Sequence, residues 1–160
     1  MNSVEKYFEG ERFQCAIGIV AALACISLSV YFLLMNKPFM KGVAYPVIPL
    51  SVLLLIICVG VVIRSPKDIT RVTAFVKTEP EKVTTVELAR MEKVMRSFST
   101  IKKIELILLT AGLILAILFR KNDLVCGTGV GLVVLCAGLY LFDHLAESRG
   151  KEYLAFLKSF

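Results

Sequence analysis

Charge is what the long apolar stretches of this chain lack. Gln14 to Met35 runs for 22 residues without Asp, Glu, Lys or Arg, and Val43 to Ile63 adds 21 more. As a helix the first stretch measures about 33 Å at about 1.5 Å per residue, enough for a hydrocarbon core of about 30 Å. Uncharged apolar runs beyond about 18 residues are foreign to water-soluble helical bundles. Metal and redox chemistry are equally thinly provided for. Histidine occurs once, and the five cysteines (15, 25, 58, 126 and 136) all fall inside apolar stretches without a C-x-x-C pair. Neither a zinc site nor a disulfide framework is indicated, no cofactor is implied, and the thiols read as small packing residues.

What the chain does have is apolar surface and positive charge. Hydrophobic residues make up 57% of it, against about 45–50% in soluble domains, and the mean hydropathy is +0.76. The net charge of +6 fits the basic residues that collect on the cytoplasmic side of a membrane protein, so no nucleic-acid partner is invoked.

Taken in order, residues 1–13 form an amphipathic lead-in, with Val4, Tyr7 and Phe8 on one helical face. The first stretch is too long, and its leader too acidic, for a cleaved signal peptide. A turn at Asn36-Lys37-Pro38 leads into the second stretch, where Pro46 is expected near the helix start and Pro49 is expected to bend it. Ser65-Pro66-Lys67-Asp68 has the pattern of a fresh helix start, with Ser65 as cap. Glu79-Pro80 breaks that helix. Val83, Glu87, Met91, Val94, Phe98, Ile101 and Glu105 then recur at spacings of three and four, which predicts one long rod running into the third apolar stretch. That stretch holds only 14 uncharged residues, Leu106 to Phe119, so crossing a membrane requires Glu105 to enter the interface. A second turn at 120–123 precedes the fourth stretch, which carries Gly127-x-x-x-Gly131, a spacing that lets helices approach closely. Thr128-Gly129-Val130-Gly131 resembles a potassium filter, but the expected continuous span favours close packing instead.

These observations predict an all-α integral membrane four-helix bundle, with spans at about 14–35, 43–63, 104–119 and 124–142. Residues 65–103 form a cytoplasmic helical connector. Lys and Arg number 15 in the leader, connector and tail and 4 in the two turns, which places both termini in the cytoplasm of an inner (plasma) membrane protein. Glu5-Lys6 is echoed by Glu92-Lys93 and Arg64 by Arg149, at offsets of 87 and 85, which describes two helical hairpins in a parallel repeat.

The one cluster with chemical promise gathers Glu105, Asp143, His144 and Glu147 with Arg12, Arg64 and Arg149 at one depth. The leading reading of it is a ring of salt bridges between these arginines and carboxylates. A divalent-cation site through oxygen and imidazole, a proton-binding site at His144, and lipid-directed catalysis are the alternatives. Span 14–35 lacks the acidic residue of small multidrug transporters, and the turns lack the cysteine pairs of disulfide-generating quinone reductases. The functional expectation is a non-enzymatic protein acting on membrane lipid and on a protein partner or second copy. Its contacts would run through Gly127, Gly131 and the cytoplasmic helices, as in an accessory subunit, scaffold or immunity-type binder. An oligomeric channel or transporter is the alternative.

Overall fold

The computed structural model describes residues 3–159, nearly all of them helical. Helix α1 (Ser3–Leu34) ends in a turn where Asn36 takes a positive φ of 58°, a conformation Asn tolerates better than most side chains, and Lys41 Nζ donates to its Oδ1 at 2.7 Å. Helix α2 (Pro38–Thr78) starts with Pro at its first position, where the missing N–H costs nothing. One turn, α3 (Pro80–Lys82), a π-helical turn (Val83–Glu87) and α4 (Leu88–Leu118) then run on as one rod, as the stripe predicts. Asn122 caps α5 (Asp123–Leu157) by accepting from the Val125 N–H.

Helices α1, α2 and α5 are each long and apolar enough to cross a membrane. Their 32, 41 and 35 residues correspond to about 48, 61 and 52 Å, so each projects well beyond a core of about 30 Å. The apolar part of α4 is too short and too charged to join them by that measure.

Two sequence expectations fail in α2. Ser65 does not cap a new helix, because its hydroxyl donates to the Val61 carbonyl at 2.8 Å inside a continuous one. Pro46 lies two turns inside α2 instead of at its start, and Pro46, Pro49 and Pro66 are all interior. Local cap signals lose to packing here, since Ser65, Asp68 and Val72 are all buried against neighbouring helices.

The interior has two distinct textures. In the apolar stretches, among the described residues, no large aliphatic or aromatic side chain is fully buried. The interior positions are Cys15, Gly18, Ala22, Ser29, Gly42, Ala44, Ser51, Cys58, Gly112, Gly127, Gly129, Gly131 and Cys136, together with Gln14 and Glu105. Val20, Leu34, Ile56, Ile63, Ile107, Leu118, Val134 and Leu141 point outward. At the end that holds the termini and the connector the order reverses. There Val4, Tyr7, Phe8, Val72, Val83, Met91, Tyr153 and Leu157 form an ordinary large-side-chain core.

Helices α2 and α5 make the centre, with α1 packed on α2 and α4 on α5; among the described residues the backbones of α1 and α4 stay apart and the two helices meet through side chains at the charged end, Arg90 with Phe8. The helices therefore lie in the order α1, α2, α5, α4, with α1 also touching α5 where Gly18 meets the Phe142 ring. The α2–α5 contact is reciprocal: a Cβ on Gly42 would strike the Leu124 carbonyl oxygen, and one on Gly127 would strike that of Phe39. Adding 85 converts Phe39 into Leu124 and Gly42 into Gly127. The same offset carries six of the seven buried residues of α2 onto buried residues of α5: Gly42, Ala44, Ser51, Ser65, Asp68 and Val72 onto Gly127, Gly129, Cys136, Gly150, Tyr153 and Leu157.

Candidate functional site

The densest polar construction lies in the large-side-chain core and centres on Glu87, which is wholly buried. Its placement starts with the run Val83-Thr84-Thr85-Val86. Four β-branched residues in succession sit poorly in an α-helix, and the hydroxyls of Thr84 and Thr85 both donate to the Glu81 carbonyl, at 3.0 and 2.8 Å. The chain takes a π-turn there, a feature often found where a helix serves a site. Glu87 is thereby turned into the core between all the long helices.

Each carboxylate oxygen of Glu87 is used. Arg90 donates from Nε to Oε2 at 2.9 Å and from Nη2 to Oε1 at 2.6 Å, a bidentate pair, and Tyr153 OH donates to Oε1 at 3.1 Å. Arg71 Nη2 stands 3.8 Å from Oε2 and 2.9 Å from Asp68 Oδ1. Asp68 Oδ2 is 3.8 Å from Arg64 Nε, and Arg64 Nη2 is 3.6 Å from Glu11 Oε1. The result is an alternating chain, Glu11–Arg64–Asp68–Arg71–Glu87–Arg90, that links α1, α2, the π-turn and α4, with Tyr153 joining from α5. The Tyr7 and Tyr153 rings stack at 4.2 Å with 6° between planes, and the Arg90 guanidinium lies 5.7 Å from the Phe8 ring centroid.

The electrostatics follow from burial. Burial, then the charge of Glu87, pushes the Tyr153 phenol well above its usual range; burial and the nearby Glu11 do the same for Tyr7. Burial alone would lower Arg90, but the hydrogen bonds and charge of Glu87 more than reverse that. Glu11 is raised because burial outweighs the attraction of Arg64. With its acceptors filled by donors, the Glu87 site holds helices together and has no free oxygen to offer a reacting group.

The cluster expected from sequence is drawn differently. Arg64 pairs with Glu11 and Asp68, and Glu147 pairs with Lys102 at 2.6 Å and Lys151 at 2.8 Å; neither of them makes the arginine–carboxylate contacts of the expected ring. Lys102 first, then Lys151, hold the Glu147 carboxyl down to about 2. His144 and Arg12 are exposed and Asp143 is half-buried. Glu105 is buried as expected but unpaired, its Oε2 lacking any hydrogen-bond partner. Among the described residues no group of three or more His, Cys, Asp or Glu side chains is arranged to hold a metal ion. Arg149 lies over Gly10, where a Cβ would sit 3.3 Å from Arg149 Cδ, and its Nη2 is buried without a partner. Gly127 and Gly131 pack within the chain, against Phe39 and Val43 of α2.

Sequence reading missed Glu87, Arg90, Arg71 and Tyr153 as a unit. The available signal was an acid standing in an otherwise apolar stripe between Val83 and Met91. Comparison with family models, with curated proteins and with solved structures finds no match.

Proposed function

We propose that this chain is an integral membrane protein of the plasma (inner) membrane, with four spans and both termini cytoplasmic, that works by contact and not by catalysis. The observation that carries the membrane reading is the reversal of interior texture along the same helices. Lipid tails are as apolar as leucine, so helices in a bilayer associate through small residues at close approach and leave their large side chains to the lipid. Water demands the opposite arrangement, which is what surrounds Tyr7, Met91 and Leu157. The fourth span follows from pairing. Gly112 of α4 and Gly129 of α5 meet backbone to backbone, so the short apolar part of α4 runs beside a helix long enough to cross. The offset of 85 supports two like-oriented hairpins related by an axis along the membrane normal.

The contact reading rests on the charged end. Glu11, Arg64, Asp68, Arg71, Glu87 and Arg90 are paired with one another there, while Lys67, Lys77, Lys93, Arg96 and Lys103 face outward. Such a surface suits an accessory, scaffold or immunity-type role at the cytoplasmic leaflet, towards an acidic protein face or anionic lipid. Orientation is tested by single cysteines at Thr85 and Asn122, both exposed, in a cysteine-free background labelled on intact cells with an impermeant maleimide. Only position 122 is expected to react; equal labelling of both removes the topology. The contact role is tested by flux recordings from the purified chain in liposomes. A silent bilayer is expected, and sustained conductance would transfer the proposal to a channel or transporter.

A further inference from the structure

We infer that the seam between α1 and α5 is a binding site for one anionic phospholipid of the leaflet facing the charged end, with its phosphate at Arg149 and a hydrocarbon chain in the groove below. This rests on the membrane reading above and names its lipid partner.

The two halves of the molecule differ at one informative register position. Arg64 and Arg149 are equivalent at the offset of 85. Arg64 has Asp68 four residues on and Glu11 on the neighbouring helix. At the corresponding positions Arg149 finds Tyr153 and, at the α1-to-α4 offset of 87, Phe98. Both acids have been replaced by aromatic rings, and the Arg149 guanidinium is left with Nη2 buried and unpartnered. Of the two acids flanking Gly10, Glu9 is exposed, and Glu11 feels the charge of Arg149 but is held more strongly by Arg64, through Oε1, with its Oε2 without a hydrogen-bond partner. Arg149 flanks a pocket of about 120 Å³ between α1 and α5, lined also by Ser3, Lys6, Tyr7, Glu152, Tyr153 and Phe156. At the rim, Lys6 and Glu152 form an exposed pair at 3.7 Å.

The depth is that of lipid headgroups. Side chains on a helix lean towards its N-terminus, which for α5 means towards the membrane, and the Arg149 guanidinium reaches the level of Gly10. Gly10 precedes the apolar boundary at Gln14 by four residues, about 6 Å, and each headgroup layer is about 5–7 Å thick. Below this level the seam opens. Gln14 Nε2 bridges to the Phe142 carbonyl at 2.6 Å, and from there an apolar groove of about 390 Å³ descends between α1 and α5 with α2 as its floor. It extends from Gly18 to Phe32 along α1, about 21 Å, longer than the roughly 15 Å of hydrocarbon in one leaflet. Gly138 lines it and faces open space.

The test uses the full chain in detergent, with lipid retention read by native mass spectrometry against equimolar phosphatidylglycerol and phosphatidylcholine of matched chains, and with millimolar inorganic phosphate as a separate arm. One phosphatidylglycerol per chain should be retained in preference. Arg149→Gln should lower that preference by roughly tenfold, the worth of a charge-assisted hydrogen bond, and Arg149→Lys should restore part of it. Gly138→Leu, whose Cβ would meet no other atom within 4 Å and whose side chain adds bulk to the groove lining, should reduce retention of both lipids. Unchanged helix content by circular dichroism excludes misfolding as the cause. Equal retention of the two lipids, an Arg149→Gln chain indistinguishable from the parent, or displacement of phosphatidylglycerol by inorganic phosphate would overturn the site. A chain that is monomeric in buffer without detergent would instead overturn the membrane reading beneath it.

Discussion

At the scale of single residues, Glu87 carries the sharpest consequence. Its carboxylate is fully enclosed and accepts from Arg90 and Tyr153, with Arg71 beside it. Truncating it strands positive charge in a hydrophobic core, a change that costs about 3–5 kcal/mol when neither partner can reach water. Arg90 is 24% exposed and can turn its guanidinium partly outward, which brings the expectation to the lower end. Glu87→Leu should therefore destabilise the folded chain in detergent by about 3 kcal/mol, and Tyr153→Phe by about 1 kcal/mol, the usual worth of one hydrogen bond. Denaturant titration followed by circular dichroism measures both. A loss below that of Tyr153→Phe for Glu87→Leu would mean that the ion-pair chain is ornamental. Glu105 is the contrasting case: also buried, it lacks a partner for Oε2, so its replacement by Gln removes no ion pair.

At the scale of helices, glycine position decides whether a side chain is tolerated. Gly127 lies on the Phe39 backbone and Gly42 on that of Leu124, so any Cβ there pushes α2 and α5 apart. Gly138, eleven residues further along α5, faces open space. Gly127→Ala should cost about 1–3 kcal/mol through overpacking, whereas Gly138→Ala should be neutral or stabilise by up to about 1 kcal/mol through helix propensity. Melting temperatures of the two variants in one detergent compare them directly, and equal shifts would contradict the α2–α5 crossing. Much of this level is legible in the sequence: the uncharged stretches, both turns and the stripe from Val83 to Glu105 all mark the helices they belong to. The stripe even enrols Glu87 and Glu105, two acids that become buried. The continuity of α2 through Ser65-Pro66 is not legible, because a Ser–Pro–x–Asp run is locally a helix start. Only the burial of Asp68 and Val72 against other helices overrides it. The Glu87 site stayed hidden for a related reason, since Tyr153 lies 66 residues away and nothing local announces it as a donor.

At the scale of the whole molecule, the correspondence at 85 residues turns one chain into two halves that meet as partners do in a symmetric dimer. In such an isologous contact, if one residue touches another, their equivalents touch in return. Gly42 with Leu124 and Phe39 with Gly127 satisfy that condition. Between the halves the chain passes through Glu79-Pro80, an exposed break in the helical path, so the covalent link there contributes little to the α2–α5 contact. The charged end is different, because the π-turn that follows supplies Glu87 to both halves at once, to Arg71 in the first and to Arg90 and Tyr153 in the second. Two polypeptides, 1–79 and 80–160, co-expressed in one membrane should accordingly assemble and co-purify through a tag on either. Gly127→Leu in the second should abolish recovery of the first, since it removes the crossing that both halves share. Glu87→Leu should weaken recovery without abolishing it, because the small-residue contact within the apolar band survives. Halves that fail to co-purify while each remains helical in detergent would mean that the linker, and not the reciprocal glycine crossing, holds the molecule together.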